Sequence, residues 1–217
     1  MILFYFALFF MAVITSFRSG GGQLKDILSG KTEPGILFCR LIAGIFFFGI
    51  GTASLVRLRN LDLEIFIPSL NGHESFAWLY IAFAAATVGV IPAFKKISPN
   101  NNSSYSLPFY LPPVFIIVRT LFLIMYEFFF RGLVLFVMLE DFGVAVAVGA
   151  NLILYVLIHW FDKQERYGSI LMGAVLCSVT LYYHSVWPAV IIHLVLSLTN
   201  EITLLINNKS LIKKSWS

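Results

Sequence analysis

The sequence predicts an all-α, polytopic membrane helix bundle. Three observations carry that prediction: an apolar composition, apolar segments of spanning length, and basic residues confined to alternate loops. Of the 217 residues, 59% are hydrophobic and only 12% charged, against about 25% charged in a soluble domain. The mean hydropathy is +0.88. A soluble chain of this length cannot hide so much apolar surface, because surface-to-volume scaling limits its core. An ordinary cytosolic domain, a disordered chain and a nucleic-acid binder are thereby excluded. At about 20 residues per crossing, the length accommodates seven or eight spans and no separate soluble domain, so 1–217 reads as one integral membrane domain.

Seven apolar segments follow in order, near 1–17, 35–56, 75–94, 113–139, 143–160, 167–183 and 186–206. The first lacks a basic leading region and a small-residue cleavage site, so it is expected to be a span. The fourth exceeds one crossing and is expected to tilt, bend or begin at the interface after Pro112-Pro113. The polar run at 98–106 reads as a flexible cytoplasmic connector. No internal repeat is visible, which disfavours an inverted-repeat transporter.

Loop charges test this count. Arg18, Lys25 and Lys31, then Lys95 and Lys96, then Lys163 and Arg166, then Lys209, Lys213 and Lys214 fall on one side. Only Arg57 and Arg59 fall on the other. Because lysine and arginine collect on the cytoplasmic side, the N-terminus is expected outside and the C-terminus in the cytoplasm. The two cysteines, Cys39 and Cys177, lie in apolar segments and are expected to be small buried hydrophobes.

Charges inside spans cost about 2.5–3.5 kcal/mol each on insertion scales, so they mark pairing or chemistry. Glu127 and Arg131 are spaced i, i+4, within salt-bridge reach on one helix face. Asn151, Tyr155 and His159 form a polar stripe on span five. His193, Ser197 and Asn200 form another on span seven. Arg119, two turns before Glu127, is expected to be a second counter-charge to it. Arg40 is expected to snorkel, and Glu201 to reach the headgroups. His73 and His184 receive no role. One buried carboxylate and two histidines on three helices can activate water with an oxyanion site beside it. The same three groups, Glu127, His159 and His193, can ligate a metal such as zinc. They also suit a proton relay in a transporter.

Tyr126-Glu127-Phe128-Phe129-Phe130-Arg131-Gly132 resembles the Glu-Glu-x3-Arg signature of the CPBP intramembrane proteases. That family holds the type II CAAX prenyl endopeptidases and the abortive-infection and bacteriocin-processing proteins. Tyr155-x3-His159 is similar to its second motif, Phe-x3-His, and the run from Trp187 to His193 with Ser197 to its third, ending in His-x3-Asn. Order and spacing match over about 113–201. The resemblance implies a helical fold with a cavity open to cytoplasm or lipid. It further implies hydrolysis of a peptide or lipidated peptide in the bilayer, in a bacterial cytoplasmic membrane. Glu127 would be the base, His159 its partner, His193 and Ser197 the oxyanion donors, and Arg131 the group orienting Glu127. Tyr126, Tyr155, Asn151 and Asn200 would line the binding site. The metalloprotease label leaves zinc open, and the glutamate-histidine chemistry does not require it. Two positions depart from the pattern: Tyr126 replaces the first glutamate and Ser197 the asparagine. The alternative that these departures motivate is an inactive relative serving as a peptide-binding, immunity or scaffold protein.

Overall fold

The computed structural model describes residues 24–29, 32–60, 62–67, 77–94, 108–159 and 163–208, without the side chains of 163–166. The expected span at 1–17, the connector at 98–106, His73, and the basic residues Arg18, Lys31, Lys95, Lys96, Lys209, Lys213 and Lys214 lie outside the described residues. All regular structure among the described residues is helical. In chain order the elements are α1 (Leu24–Leu28), α2 (Pro34–Arg59), a 3-10 turn (Glu64–Phe66) and α3 (Ala77–Ala93). Then come α4 (Leu111–Glu127), a π segment (Phe128–Val134), α5 (Leu135–Phe142), α6 (Val144–Ile158), α7 (Lys163–Tyr183) and α8 (Trp187–Asn207).

Local chemistry sets these limits. Helices α2, α4 and α8 all open with proline in their first two positions, where the absent N–H has no partner to lose. Helix α2 ends at Asn60 in the left-handed conformation, φ 51°. Gly143, φ +80°, separates α5 from α6.

Three helical stretches are long and apolar enough to cross a bilayer by themselves: Pro34–Arg59, Leu111–Phe142 and Trp187–Asn207. Ala77–Ala93, Val144–Ile158 and Tyr167–Tyr183 are shorter apolar helices. The expected fourth span is one continuous stretch of 32 residues, about 48 Å long at 1.5 Å per residue. Its irregularity is the π segment in its middle. Large apolar side chains project outward, among them Phe46, Tyr80, Phe83 and Leu171. In a membrane protein such a surface faces lipid. Cys39 is also exposed, against the expectation that both cysteines are buried, because it sits on the outer face of α2; Cys177 is buried.

Helix α8 packs on α3, α4 and α7. The α3–α8 seam is close enough that a Cβ on Gly89 would stand 2.5 Å from the Leu196 carbonyl oxygen. Small residues permit such backbone approach in membrane bundles. A main core joins α2, α4, the π segment and α6 through Phe48, Tyr126, Phe129, Phe130, Val134 and Tyr155. At one end of the bundle, the 3-10 turn docks on the start of α8. Val186 N–H donates to the Ile65 carbonyl at 3.0 Å, and Trp187 Nε1 to that of Phe66 at 2.8 Å. Arg59 meets Asp141 at 2.8 Å. Elsewhere, Asn207 Nδ2 donates to the Ala93 carbonyl at 3.0 Å, joining the final turns of α8 and α3.

Candidate active site

Glu127 is the last residue of α4, and its side chain is fully buried. One carboxylate oxygen, Oε1, lies 2.5 Å from Nδ1 of His193 on α8. The other, Oε2, lies 3.3 Å from Nε of Arg131, one turn on in the π segment. The expected i, i+4 pair is therefore formed, with no solvent exposure on either side chain. The Arg131 guanidinium stacks over the Tyr155 ring, 4.4 Å from its centroid. That contact places a cation against a π face in a dry setting, where it contributes up to about 2 kcal/mol.

Tyr155 ties the polar stripe of α6 to the rest. Its ring centroid lies 5.0 Å from that of His159, 6.2 Å from His193 and 6.0 Å from Tyr126. Tyr126 is also 5.9 Å from His193, and its buried hydroxyl has no hydrogen-bond partner among the described residues. Positions 126 and 127 thus both meet His193, one through a ring and the other through a carboxylate. Asn151 acts differently: its Nδ2 donates to the Phe130 carbonyl at 2.6 Å, and its Oδ1 accepts from Cys177 Sγ at 3.4 Å. Leu135 N–H reaches the same Phe130 oxygen from five residues on. Asn151 thus braces the π segment that carries Arg131. Such segments are frequent at functional sites.

This stretch also answers to a known family. Residues 108–199 match the family described as type II CAAX prenyl endopeptidase Rce1-like. This part of the chain is similar to that family. No curated protein and no solved structure matches the chain. The Rce1-like segment runs from just before α4 to within one residue of Asn200, so it contains the Glu127–Arg131–His193 contacts whole.

Two further residues, Arg119 within the matched segment and Glu201 just beyond it, are placed differently from expectation. Arg119 does not serve as counter-charge to Glu127. Its Nε donates to Glu201 Oε1 at 2.9 Å and its Nη2 to Ser197 Oγ at 3.2 Å. Nor does Glu201 reach headgroups: its side chain is 10% exposed and paired with Arg119. The cause is helix register. Arg119 precedes Glu127 by eight residues and Glu201 follows His193 by eight, so two antiparallel helices carry two matching polar rungs. Equal intervals on the two segments were the available signal. Ser197 accordingly lies with Arg119, and the Asn200 side-chain oxygen is buried without a partner among the described residues. His184 packs its ring on Phe136 at 5.1 Å. Arg40 is half-buried.

A zinc site needs three or more converging donors. Among the described residues no three His, Cys, Asp or Glu side chains converge in that way. Glu127 and His193 are turned on each other, and His159 meets Tyr155. The residues present do not fit a resident metal, and the chemistry below is carried by side chains.

Proposed function

We propose that the chain is an intramembrane endopeptidase of the CAAX type, with Glu127 and His193 as its water-activating pair. The observation that carries this reading is the 2.5 Å contact between Glu127 Oε1 and His193 Nδ1 in a buried site inside an Rce1-like segment. A carboxylate has no proton to give, so Nδ1 donates and Nε2 keeps its lone pair. Nε2 then takes a proton from water while the hydroxide adds to the scissile carbonyl. The imidazolium is stabilised by Glu127 and returns the proton to the leaving amide nitrogen, releasing acid and amine. Arg131, 3.3 Å from Oε2, orients Glu127. The geometry thus favours His193 for the direct proton transfer, with Glu127 one atom behind it. The Tyr126 hydroxyl is the uncommitted donor beside His193 for the tetrahedral oxygen. The hydroxyl hydrogen of Ser197 is a second donor, and His159 borders the site through Tyr155.

The same proposal includes the seven-span topology in one membrane domain, N-terminus outside and C-terminus in the cytoplasm. Helix-end contacts support the alternation of the described helices within it. Arg59–Asp141, Val186–Ile65 and Trp187–Phe66 join chain positions that alternation puts outside. Asn207–Ala93 joins positions it puts inside.

Cleavage of farnesylated and membrane-spanning peptides in liposomes tests the function. Wild type should hydrolyse one class and His193→Gln neither. A wild type inert toward both, paired with cleavage appearing in Tyr126→Glu/Ser197→Asn, would show instead an inactive relative.

A further inference from the structure

We infer that Arg119 anchors the C-terminal carboxylate of the peptide substrate and so sets how far from its end the chain is cut. This rests on the hydrolytic reading above. Arg119 and the catalytic pair sit on the same antiparallel helices, eight residues apart on each. Eight residues of helix rise about 12 Å. An extended peptide covers about 3.3–3.6 Å per residue, so the backbone rise corresponds to three to four residues, shortened where the guanidinium reaches back to Ser197, one turn from His193. A C-a-a-X terminus has three residues beyond its cysteine.

Side-chain exposure rises toward the Arg119 end of the two helices. The Glu127 side chain is unexposed, those of His193 and Glu201 are 10% exposed, and that of Arg119 is 24% exposed. Arginine suits the task because its planar fork meets a carboxylate in a bidentate way. Contacts to Glu201 and Ser197 engage Nε and Nη2, two of the five N–H donors a guanidinium has. The resident partner, Glu201, keeps the arginine neutralised when no peptide is bound. A second carboxylate arriving beside it is repelled by that charge, which limits the anchor's strength and gives it a testable sign.

The experiment compares a farnesylated-cysteine peptide bearing three further residues as free acid and as C-terminal amide. Binding and cleavage are both measured on the full chain in liposomes. A hydrogen-bonded charge pair implies an acid preference of about ten- to hundred-fold in both readouts. Arg119→Gln should bring that ratio close to one, Arg119→Lys should leave part of it, and Glu201→Gln should enlarge it. A wild-type ratio near one, or no detectable binding of either peptide, would overturn the anchor. So would a ratio unmoved in Arg119→Lys, or reduced in Glu201→Gln, and these two variants decide the matter if Arg119→Gln does not fold. Acid-selective binding lost in the arginine variants, without any cleavage, would sink the hydrolytic reading and keep the anchor. Cleavage indifferent to the terminus would do the reverse.

Discussion

Glu127 holds two partners at once with its side chain fully buried, and each partner answers for the other. Removing one member of a buried ion pair leaves an uncompensated charge and costs about 3–5 kcal/mol. Arg131→Ala should therefore lower stability by that order, and Arg131→Ala with Glu127→Ala should cost clearly less than the sum. Denaturation in detergent followed by a helix signal checks this; strict additivity would mean that the two side chains do not interact. Arg131 also lies over Tyr155, so Tyr155→Leu should destabilise by about 1–3 kcal/mol, whereas Tyr155→Phe keeps the ring face and should be mild. The Glu127–Arg131 pair was legible in the sequence because i, i+4 spacing is a local rule. Neither its bond to His193 nor the Arg119–Glu201 pair was, since both depend on how two distant helices are set against each other. Spacing also placed Asn151, Tyr155 and His159 on one stripe without showing that they do three different things.

Among the elements, the π segment from Phe128 to Val134 matters most. It begins directly after Glu127 and contains Arg131, and Asn151 holds one of its carbonyls. Asn151→Leu keeps the size but removes the donor to the Phe130 carbonyl and leaves the Cys177 thiol without its acceptor. The expected result is a loss of about 1–3 kcal/mol and a fall in activity without loss of the fold. Unchanged activity would mean that the brace is dispensable. Gly89 is the test of the α3–α8 seam. Gly89→Leu would drive a side chain into the Leu196 backbone, so it should give little folded protein, with Gly89→Ala intermediate. The start of the fourth span at the Pro112-Pro113 pair was legible as local chemistry. The π insertion was not: in a segment apolar on nearly every side, no polar alternation marks a change of turn. The excess length of the fourth span was its one visible trace.

At the scale of the molecule, composition and charge alternation announced a helical membrane protein, and the described helices agree. The proposed orientation makes a direct expectation for impermeant thiol labels on single-cysteine variants. A cysteine at position 62 should react from outside, and one at position 101 only after the cytoplasmic face is opened. Reaction of both from the same side would contradict the seven-span alternation. The joining of Arg59 to Asp141 and of Ala93 to Asn207 shows that distant helix ends meet in pairs, which no hydropathy pattern contains. The bundle brings polar groups from α4, α6, α8 and the π segment to one buried place, and the account stands or falls on what that place does. The most direct measurement is turnover of a farnesylated peptide in liposomes by wild type and by Glu127→Gln. The amide is nearly isosteric but cannot fix the His193 proton in the same way, so turnover should fall by about 10³–10⁴-fold, as for loss of the orienting carboxylate in a triad. Equal turnover by the two proteins would remove Glu127 from the mechanism.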